Sequence, residues 1–182
     1  MISSGALAIK YIKENGLNKV FIIGSQELKS GFIKAGINVC TEDENETMVI
    51  GIDDSFDYSM MTIGLRAAIR AKKIIVCNQD RSFEKEDGLF PGNGGIVSSI
   101  LYCSNKAPDF VIGKPNTYML EHVLEKYHLC KEELLVIGDS EESDIVMAET
   151  IGCKSILIGH SNEKEQVIKG LYETINFDWT RY

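Results

Sequence analysis

Short runs of β-branched and other apolar residues alternate along this chain with segments in which apolar residues recur every three or four positions. This alternation predicts an α/β fold, because the buried strands of a parallel sheet are short and apolar and are joined by helices that cover the sheet. The predicted strands span residues 19–23, 47–52, 73–77, 110–112, 134–137 and 155–158. The predicted helices span residues 7–13, 27–34, 58–71, 96–103, 119–127, 141–151 and 164–171.

The chain is acidic, and its charge disfavours two kinds of partner. Its 182 residues carry 19 basic and 27 acidic side chains, a formal net charge of −8 at pH 7. A uniformly acidic surface does not attract nucleic acid or anionic membrane, so we expect neither as a partner. No apolar run approaches the roughly 18 to 20 residues that span a bilayer, and the first residues lack the pattern of a signal peptide. We therefore expect a cytoplasmic protein.

The cysteines are widely spaced and contain no C-x-x-C pair; they are Cys40, Cys77, Cys103, Cys130 and Cys153. Zinc sites and redox motifs usually place cysteines in such pairs, so neither chemistry is favoured. We expect reduced thiols that serve as small core residues.

Residues 88–95 read G-L-F-P-G-N-G-G and are the one stretch rich in turn-forming residues. Glycine is favoured where the chain needs a positive φ or where another group approaches the backbone closely. Two interpretations stay open, a simple turn and a loop that lies next to a bound substrate.

Two aspartates follow the predicted strand at residues 134–137, in the sequence G-D-S-E-E-S-D. Ligands of open α/β sheets bind at the carboxyl ends of the strands, so Asp139 is expected to point into that crevice. Asp144 lies in the first turns of the next helix and is expected to fold back toward the same place. Paired carboxylates suit Mg²⁺, which prefers hard oxygen ligands and keeps several waters. The alternative is that Asp139 and Ser140 cap the helix and Asp144 is solvated.

A lysine marks the end of another predicted strand, in the sequence V-I-G-K-P that ends at Pro115. The ammonium group of Lys114 at such a position can bind a phosphate and stabilise a developing negative charge. By itself this signal is weak, because many surface lysines precede proline.

Together these segments resemble a known family. V-I-G-K-P-N-T-Y-M-L and V-I-G-D-S-E-E-S-D-I look like the third and fourth motifs of the haloacid dehalogenase (HAD) superfamily of phosphohydrolases. M-V-I-G-I-D-D-S-F-D-Y, C-N-Q-D-R-S-F and L-F-P-G-N-G-G are similar to the cap of its class IIA branch, which includes NagD-like and p-nitrophenyl phosphatases. The resemblance extends from residue 1 to about residue 160.

The resemblance implies an α/β fold in which a Rossmann-like HAD core carries an inserted class IIA cap domain. It assigns residues 25–108 to the cap and residues 1–24 and 109–182 to the core. In the family, further core strands precede the segment that resembles residues 2–13. The core is therefore expected to be incomplete, with its first strands missing.

The resemblance also implies an activity, the Mg²⁺-dependent hydrolysis of a phosphate monoester on a small phosphorylated metabolite. Carried over residue by residue, it makes Lys114 the phosphate-binding lysine, Asp139 a magnesium ligand and Asp144 the supporting carboxylate.

The cap contains a second matching segment. Asn78 and Asp80 match the substrate-facing segment that the family commonly writes T-N-x-D, with Cys77 in place of the threonine. The resemblance implies that Asn78 and Asp80 bind the substrate. The alternative for Asp80 is a solvated loop residue.

The motif that carries the family's nucleophile is absent from these residues. HAD phosphatases attack phosphorus with the first aspartate of a D-x-D motif, and the second aspartate acts as general acid and base. None of the ten aspartates here forms a D-x-D pair. Residues 51–55, G-I-D-D-S, also follow a predicted strand, but the resemblance aligns them with the cap, so we reject them as a substitute. We therefore expect a phosphatase that is inactive or weakly active in this form.

Two other classes of protein stay open. One is a non-catalytic binding or regulatory module that acts with a partner chain or as a homodimer. The other is a different doubly wound domain, receiver-like or nucleotide-binding, although the chain contains no G-x-G-x-x-G or P-loop motif.

Overall fold

A computed structural model describes residues 2–159 together with the backbone of residues 167 and 168. The chain divides into two compact units, Met1–Gly113 and Lys114–Tyr182. Each unit has its own parallel sheet, so the α/β class expected from the sequence is confirmed.

The first unit is built on a four-stranded parallel sheet. Its strands are β1 (Val20–Ile23), β2 (Thr47–Ile50), β3 (Lys73–Val76) and β6 (Phe110–Val111), in the order β1-β2-β3-β6. Between β3 and β6 the chain forms an antiparallel hairpin of β4 (Ser82–Lys85) and β5 (Gly88–Pro91). The helices of this unit are α1 (Ser4–Glu14), α2 (Gln26–Lys34), α3 (Tyr58–Arg70) and α4 (Asn93–Ser104).

Both faces of this sheet are apolar, as a parallel sheet covered by helices requires. Successive side chains of a strand point to opposite faces. One face packs against α3 and α4 through the register partners Ile23, Ile50 and Val76. The other face is formed by the neighbouring register partners, the buried residues Ile22, Val49 and Ile75. Helices α1 and α2 also bury apolar side chains, which are Leu7, Ala8 and Ile12 in α1 and Phe32 in α2.

Side-chain caps explain where three of these helices begin. Ser3 accepts a hydrogen bond from the Ala6 N–H before α1, and Ser25 accepts one from Leu28 before α2, each at 3.3 Å. Asp57 caps α3 in the same way. Each cap satisfies a backbone donor that has no partner within the helix.

The interpretation of residues 88–95 as a turn with positive φ holds at Gly88, whose φ is +119°, but not for the rest of the segment. Residues 88–91 form β5, and α4 begins at residue 93. A Cβ atom on Gly92 would overlap the carbonyl group of Asp80, and one on Gly94 would lie 2.7 Å from the carbonyl oxygen of Gln79. Close approach of two backbone segments therefore explains these glycines.

The second unit contains a three-stranded parallel sheet in the order β7 (Leu135–Gly138), β8 (Lys154–Ile158) and β9 (Val167–Ile168). Before β7 lie α5 (Tyr118–Tyr127) and a 3₁₀ turn, Lys131–Glu133. After β7 a π-helical turn, Glu141–Ile145, runs directly into α6 (Val146–Ile151). The helix predicted at residues 141–151 is therefore a wide turn followed by a short α-helix.

All six predicted strands are present, with ends displaced by at most two residues. The helix predicted at residues 164–171 is wrong at residues 167 and 168, because these form β9 and pair with β8. Both are β-branched residues, which favour a strand. The remainder of that helix lies outside the described residues.

The predicted domain boundaries do not coincide with the division into compact units. β1 lies in the segment assigned to the core, residues 1–24, yet it pairs along its whole length with β2 of the assigned cap. The compact units meet after residue 113 rather than after residue 108. The assignment of residues to cap and core stays a prediction.

The five cysteines are free thiols, but only one of them is fully in the core. Cys77 is buried, and Cys40 and Cys153 are half-buried. Cys103 and Cys130 are exposed, so the expectation that the cysteines are core residues is wrong for these two.

We expect Cys77 to resist alkylation in the folded protein while Cys103 reacts. Burial raises the pKa of the Cys77 thiol to about 12. At pH 8 only about one molecule in 10⁴ then carries the reactive thiolate. Iodoacetamide labelling at pH 8 followed by peptide mass spectrometry measures both rates. Labelling of Cys77 at the rate of Cys103, without denaturant, would contradict the buried position of Cys77.

Candidate functional site

The carboxyl end of β7 carries both aspartates predicted to bind metal. Asp139 follows Gly138 directly, and the turn Glu141–Ile145 returns Asp144 to the strand end. Asp144 Oδ2 accepts a hydrogen bond from the Ser140 N–H at 3.2 Å, and the Asp144 N–H donates to the Ser140 carbonyl oxygen at 2.9 Å. Gly138 leaves room for this return, because a Cβ there would overlap the Asp144 side chain.

Lys114 and Asp144 form an ion pair within the second unit. Lys114 Nζ lies 2.8 Å from Asp144 Oδ1, and the Asp144 side chain is only 10% exposed. A carboxylate so buried needs charged or hydrogen-bonding partners, because desolvation disfavours its charge. Each carboxylate oxygen of Asp144 has such a partner, Lys114 for Oδ1 and the Ser140 N–H for Oδ2. Asp144 therefore anchors the Lys114 ammonium group, whose side chain stays 33% exposed.

The interpretation of this turn as a simple helix cap is wrong for two of its residues. Ser140 occupies the position before the turn but makes no side-chain cap hydrogen bond. Asp144 is buried rather than solvated. Asp139 is exposed at the strand end. The two aspartates thus lie in different environments, one turned toward protein partners and one toward solvent.

The groups at this strand end suit a hydrated Mg²⁺ ion more than a metal enclosed by protein. Asp139 offers an exposed carboxylate, whereas the oxygens of Asp144 already contact Lys114 and Ser140. Throughout the described part of the chain, no three His, Cys, Asp or Glu side chains form a cluster able to hold a metal. Mg²⁺ is commonly bound by one or two carboxylates together with waters and a phosphate, so these residues fit it.

The predicted substrate segment follows β3 in the first unit. Asn78 Nδ2 donates a hydrogen bond to Asp80 Oδ2 at 2.7 Å, and both residues are half-buried. Asp80 is therefore held by a neighbour and is not a freely solvated loop residue. A shallow cavity of about 390 Å³ in the same region is lined by Gln79, Arg81, Gly94, Gly95 and Ser98.

Asn93, which the sequence interpretation did not single out, holds this segment in place. Its side chain is fully buried, and its Nδ2 donates to the carbonyl oxygens of Asn78 at 2.7 Å and Ile50 at 3.3 Å. The Gly94 N–H donates to the Asp80 carbonyl oxygen at 2.9 Å. The start of α4 thus connects the ends of β2 and β3. The available signal was a polar residue flanked by glycines in G-N-G-G.

Residues 51–55, rejected as a catalytic segment, contain an aspartate with a local structural role. Asp53 Oδ1 accepts hydrogen bonds from the Ser55 N–H at 3.0 Å and the Ser55 hydroxyl at 2.6 Å. Its other oxygen lies 4.0 Å from Lys29 Nζ. These contacts stabilise the turn after β2.

Comparisons with known proteins find similarity to phosphatases and to a hydrolase family. A HAD-hydrolase-like family model matches residues 111–174. The acid sugar phosphatase of Staphylococcus epidermidis is 32% identical over 157 residues, which are 86% of this chain and 60% of that protein. The sugar-phosphatase AraL of Bacillus subtilis is 32% identical over 169 residues, 91% of this chain and 62% of that protein. A solved p-nitrophenyl phosphatase from Archaeoglobus fulgidus superposes with a TM-score of 0.79 at 29% identity, covering 95% of this chain and 65% of that one.

The fold is that of the class IIA phosphatases, which carry a cap domain. These comparisons support the resemblance of the chain to the class IIA branch of the haloacid dehalogenase-like hydrolase superfamily. It spans about 60% of the length of the curated relatives that it matches.

Proposed function

We propose that this chain supplies the Mg²⁺- and phosphate-binding groups of a phosphate monoester hydrolase that acts on small phosphorylated metabolites, sugar phosphates in particular. The observation that carries the proposal is the Lys114–Asp144 ion pair at the end of the strand that also bears Asp139. Two relatives named as sugar phosphatases support this substrate class.

Each side chain has its own role in the proposed function. Lys114 binds a phosphate oxygen as a point charge, held in direction by Asp144. Asp139 holds Mg²⁺, which when bound offsets negative charge on the phosphate. Asn78 and Asp80, which lie in the first unit, bind the substrate.

The partners and the compartment follow from the same proposal. An acidic chain suits a small metabolite better than nucleic acid or an anionic membrane. None of the helices within the described residues has both the length and the apolar character needed to cross a membrane. We propose that the protein acts in the cytoplasm.

Mg²⁺ together with inorganic phosphate is expected to raise the Tm of the wild-type chain and to raise it much less in Lys114→Ala. Ligand at ten times its Kd adds about 1.4 kcal/mol, or roughly 3 to 6 °C for a chain of this size. Each variant is compared with itself without ligand, so a loss of basal stability from the unpaired Asp144 does not enter. Differential scanning fluorimetry measures the shift.

Two variants complete this experiment. Lys126→Ala removes a lysine that lies over the Tyr127 ring in α5 and should leave the shift unchanged. Asp139→Asn should remove the part of the shift that depends on Mg²⁺. An equal rise in Tm in the wild type and in Lys114→Ala would show that Lys114 does not bind the phosphate.

A further inference from the structure

The sequence contains two Asn-Gly pairs, and the first unit places them in opposite environments. Asn15 and Gly16 are both exposed at the end of α1, whereas Asn93, which precedes Gly94, is fully buried at the start of α4. An asparagine followed by glycine readily closes to a cyclic imide, because glycine has no side chain to hinder attack by its backbone nitrogen. We propose that Asn15–Gly16 is a site of spontaneous deamidation in the folded protein and that the fold protects Asn93–Gly94.

The modification consumes only water. The Gly16 backbone nitrogen loses its proton to hydroxide and attacks the side-chain carbon Cγ of Asn15. A new C–N bond closes a five-membered succinimide ring, and the Cγ–Nδ2 bond breaks as Nδ2 takes up a proton and leaves as ammonia. Water then opens the ring at either of its two carbonyl carbons. The products are aspartate and isoaspartate, and in isoaspartate the main chain runs through the former side-chain carbonyl.

Exposed hydrogen bonds hold the end of α1. The Gly16 N–H donates to the Lys13 carbonyl oxygen at 3.2 Å, and Asn15 Nδ2 donates to that of Tyr11 at 2.9 Å. With a ψ of 5° at Asn15, the Gly16 nitrogen lies on the side of the Asn15 nitrogen, away from the side chain. Ring closure therefore requires the last turn of the helix to open. Exposed helix ends open at little cost in free energy, so this requirement slows the reaction without preventing it.

The buried pair is held at both of the groups that would react. Asn93 Nδ2 donates to the carbonyl oxygens of Asn78 at 2.7 Å and Ile50 at 3.3 Å, so the amide that would leave is fixed. The Gly94 N–H, whose nitrogen would attack, donates to the Asp80 carbonyl oxygen at 2.9 Å. Ring closure would require the start of α4 to separate from the ends of β2 and β3. Such an opening exposes part of the core and is therefore rare.

Deamidation at position 15 changes the end of α1 in two ways. The new carboxylate accepts hydrogen bonds but cannot donate one to the Tyr11 carbonyl oxygen. Its negative charge also lies at the carboxyl end of a helix, where the helix dipole disfavours it. In isoaspartate an added backbone carbon displaces Gly16, whose φ of +61° ends the helix. We therefore expect both products to be less stable than the unmodified chain.

Incubation of the full chain at pH 8, followed by digestion and tandem mass spectrometry, tests the proposal. We expect Asn15 to deamidate faster than Asn93 by a factor on the order of 10² or more, because only the exposed pair reacts without a large opening. In urea, where no fold protects either pair, the two rates should be similar. The rate at Asn15 should rise with pH, since the attacking nitrogen must first lose its proton.

Two variants complete the experiment. Asn15→Gln is the matched control, because it keeps the amide but would have to close a strained six-membered ring. Its position 15 should stay unmodified, while Asn93 reacts as in wild type. Asn15→Asp supplies the chromatographic standard for the aspartate product and should lower the Tm by roughly 1 to 4 °C, because it places the same charge at the end of α1.

Three outcomes would overturn the proposal. The first is an Asn15 that stays intact in the folded chain over the time in which the chain in urea deamidates completely. The second is deamidation of Asn93 at the rate of Asn15 without urea. The third is a different asparagine, such as the neighbouring Asn18, as the main site of deamidation in the folded chain.

Discussion

The 182-residue chain is expected to hydrolyse p-nitrophenyl phosphate at a rate close to background, even with Mg²⁺ in excess. Lys114 and Asp139 can bind phosphate and metal, but these residues contain no D-x-D pair to supply the aspartate that attacks phosphorus. Loss of a covalent nucleophile typically lowers the rate by several orders of magnitude, on the order of 10³ or more. Release of p-nitrophenol, followed by absorbance, measures it.

The same assay has a clear contradicting result. Turnover well above background that disappears in Asp139→Ala would show that the chain holds a complete catalytic site. The p-nitrophenyl phosphatase of Archaeoglobus fulgidus, assayed in parallel, is a suitable positive control because it has the same fold. Asp54→Asn, which changes an exposed carboxylate of the first unit, should leave the background rate as it is.

Gly92→Ala is expected to destabilise the first unit by about 3 kcal/mol, from a steric overlap and a weakened hydrogen bond. The added Cβ would overlap the carbonyl group of Asp80, which is backbone and cannot rotate away. That carbonyl is already held by the Gly94 N–H at 2.9 Å, and the Gly92 N–H itself donates to Arg81 at 2.8 Å. Urea unfolding measures the change in the free energy of unfolding.

Gly95→Ala is the matched control, three residues further along in α4. A Cβ at Gly95 meets nothing within 4 Å, so alanine should be neutral or stabilise the helix by up to about 1 kcal/mol. Similar effects of the two substitutions would mean that the close contact between residues 79–81 and the start of α4 does not hold the segment that bears Asp80.

The positions of the parallel strands were predictable because a strand that is buried on both faces of its sheet has apolar residues at nearly every position. β2 is buried at all four positions, and its sequence is a run of apolar and β-branched residues. The hairpin was not predictable in this way. β4 and β5 have mostly exposed or half-exposed residues, and they are stabilised by the cross-strand pair Phe83–Phe90. Such strands show no regular pattern of apolar residues. The glycines in and after β5 therefore led to the prediction of a turn or loop.

The candidate site was partly predictable for a related reason. Lys114 and Asp139 follow apolar strands, and the ends of strands are where an α/β sheet binds its ligands. The partner of Asp144 was not evident, because Lys114 is 30 residues earlier and no local pattern connects them. Asn93 was missed since its two acceptors, Ile50 and Asn78, are 43 and 15 residues away.

The sequence by itself determined the alternation of strands and helices and the residues that stand at the strand ends. This was possible because the apolar pattern of a strand or helix, and the residue that follows its last position, are both contained in one short segment of sequence. Only the tertiary structure decided that Asp144 is buried against Lys114, that Asn93 joins two strand ends, and that Phe83, Phe90 and Lys85 line one cavity. These contacts depend on how distant segments meet, and a hydrogen bond or an ion pair exists only once both of its partners have been brought together.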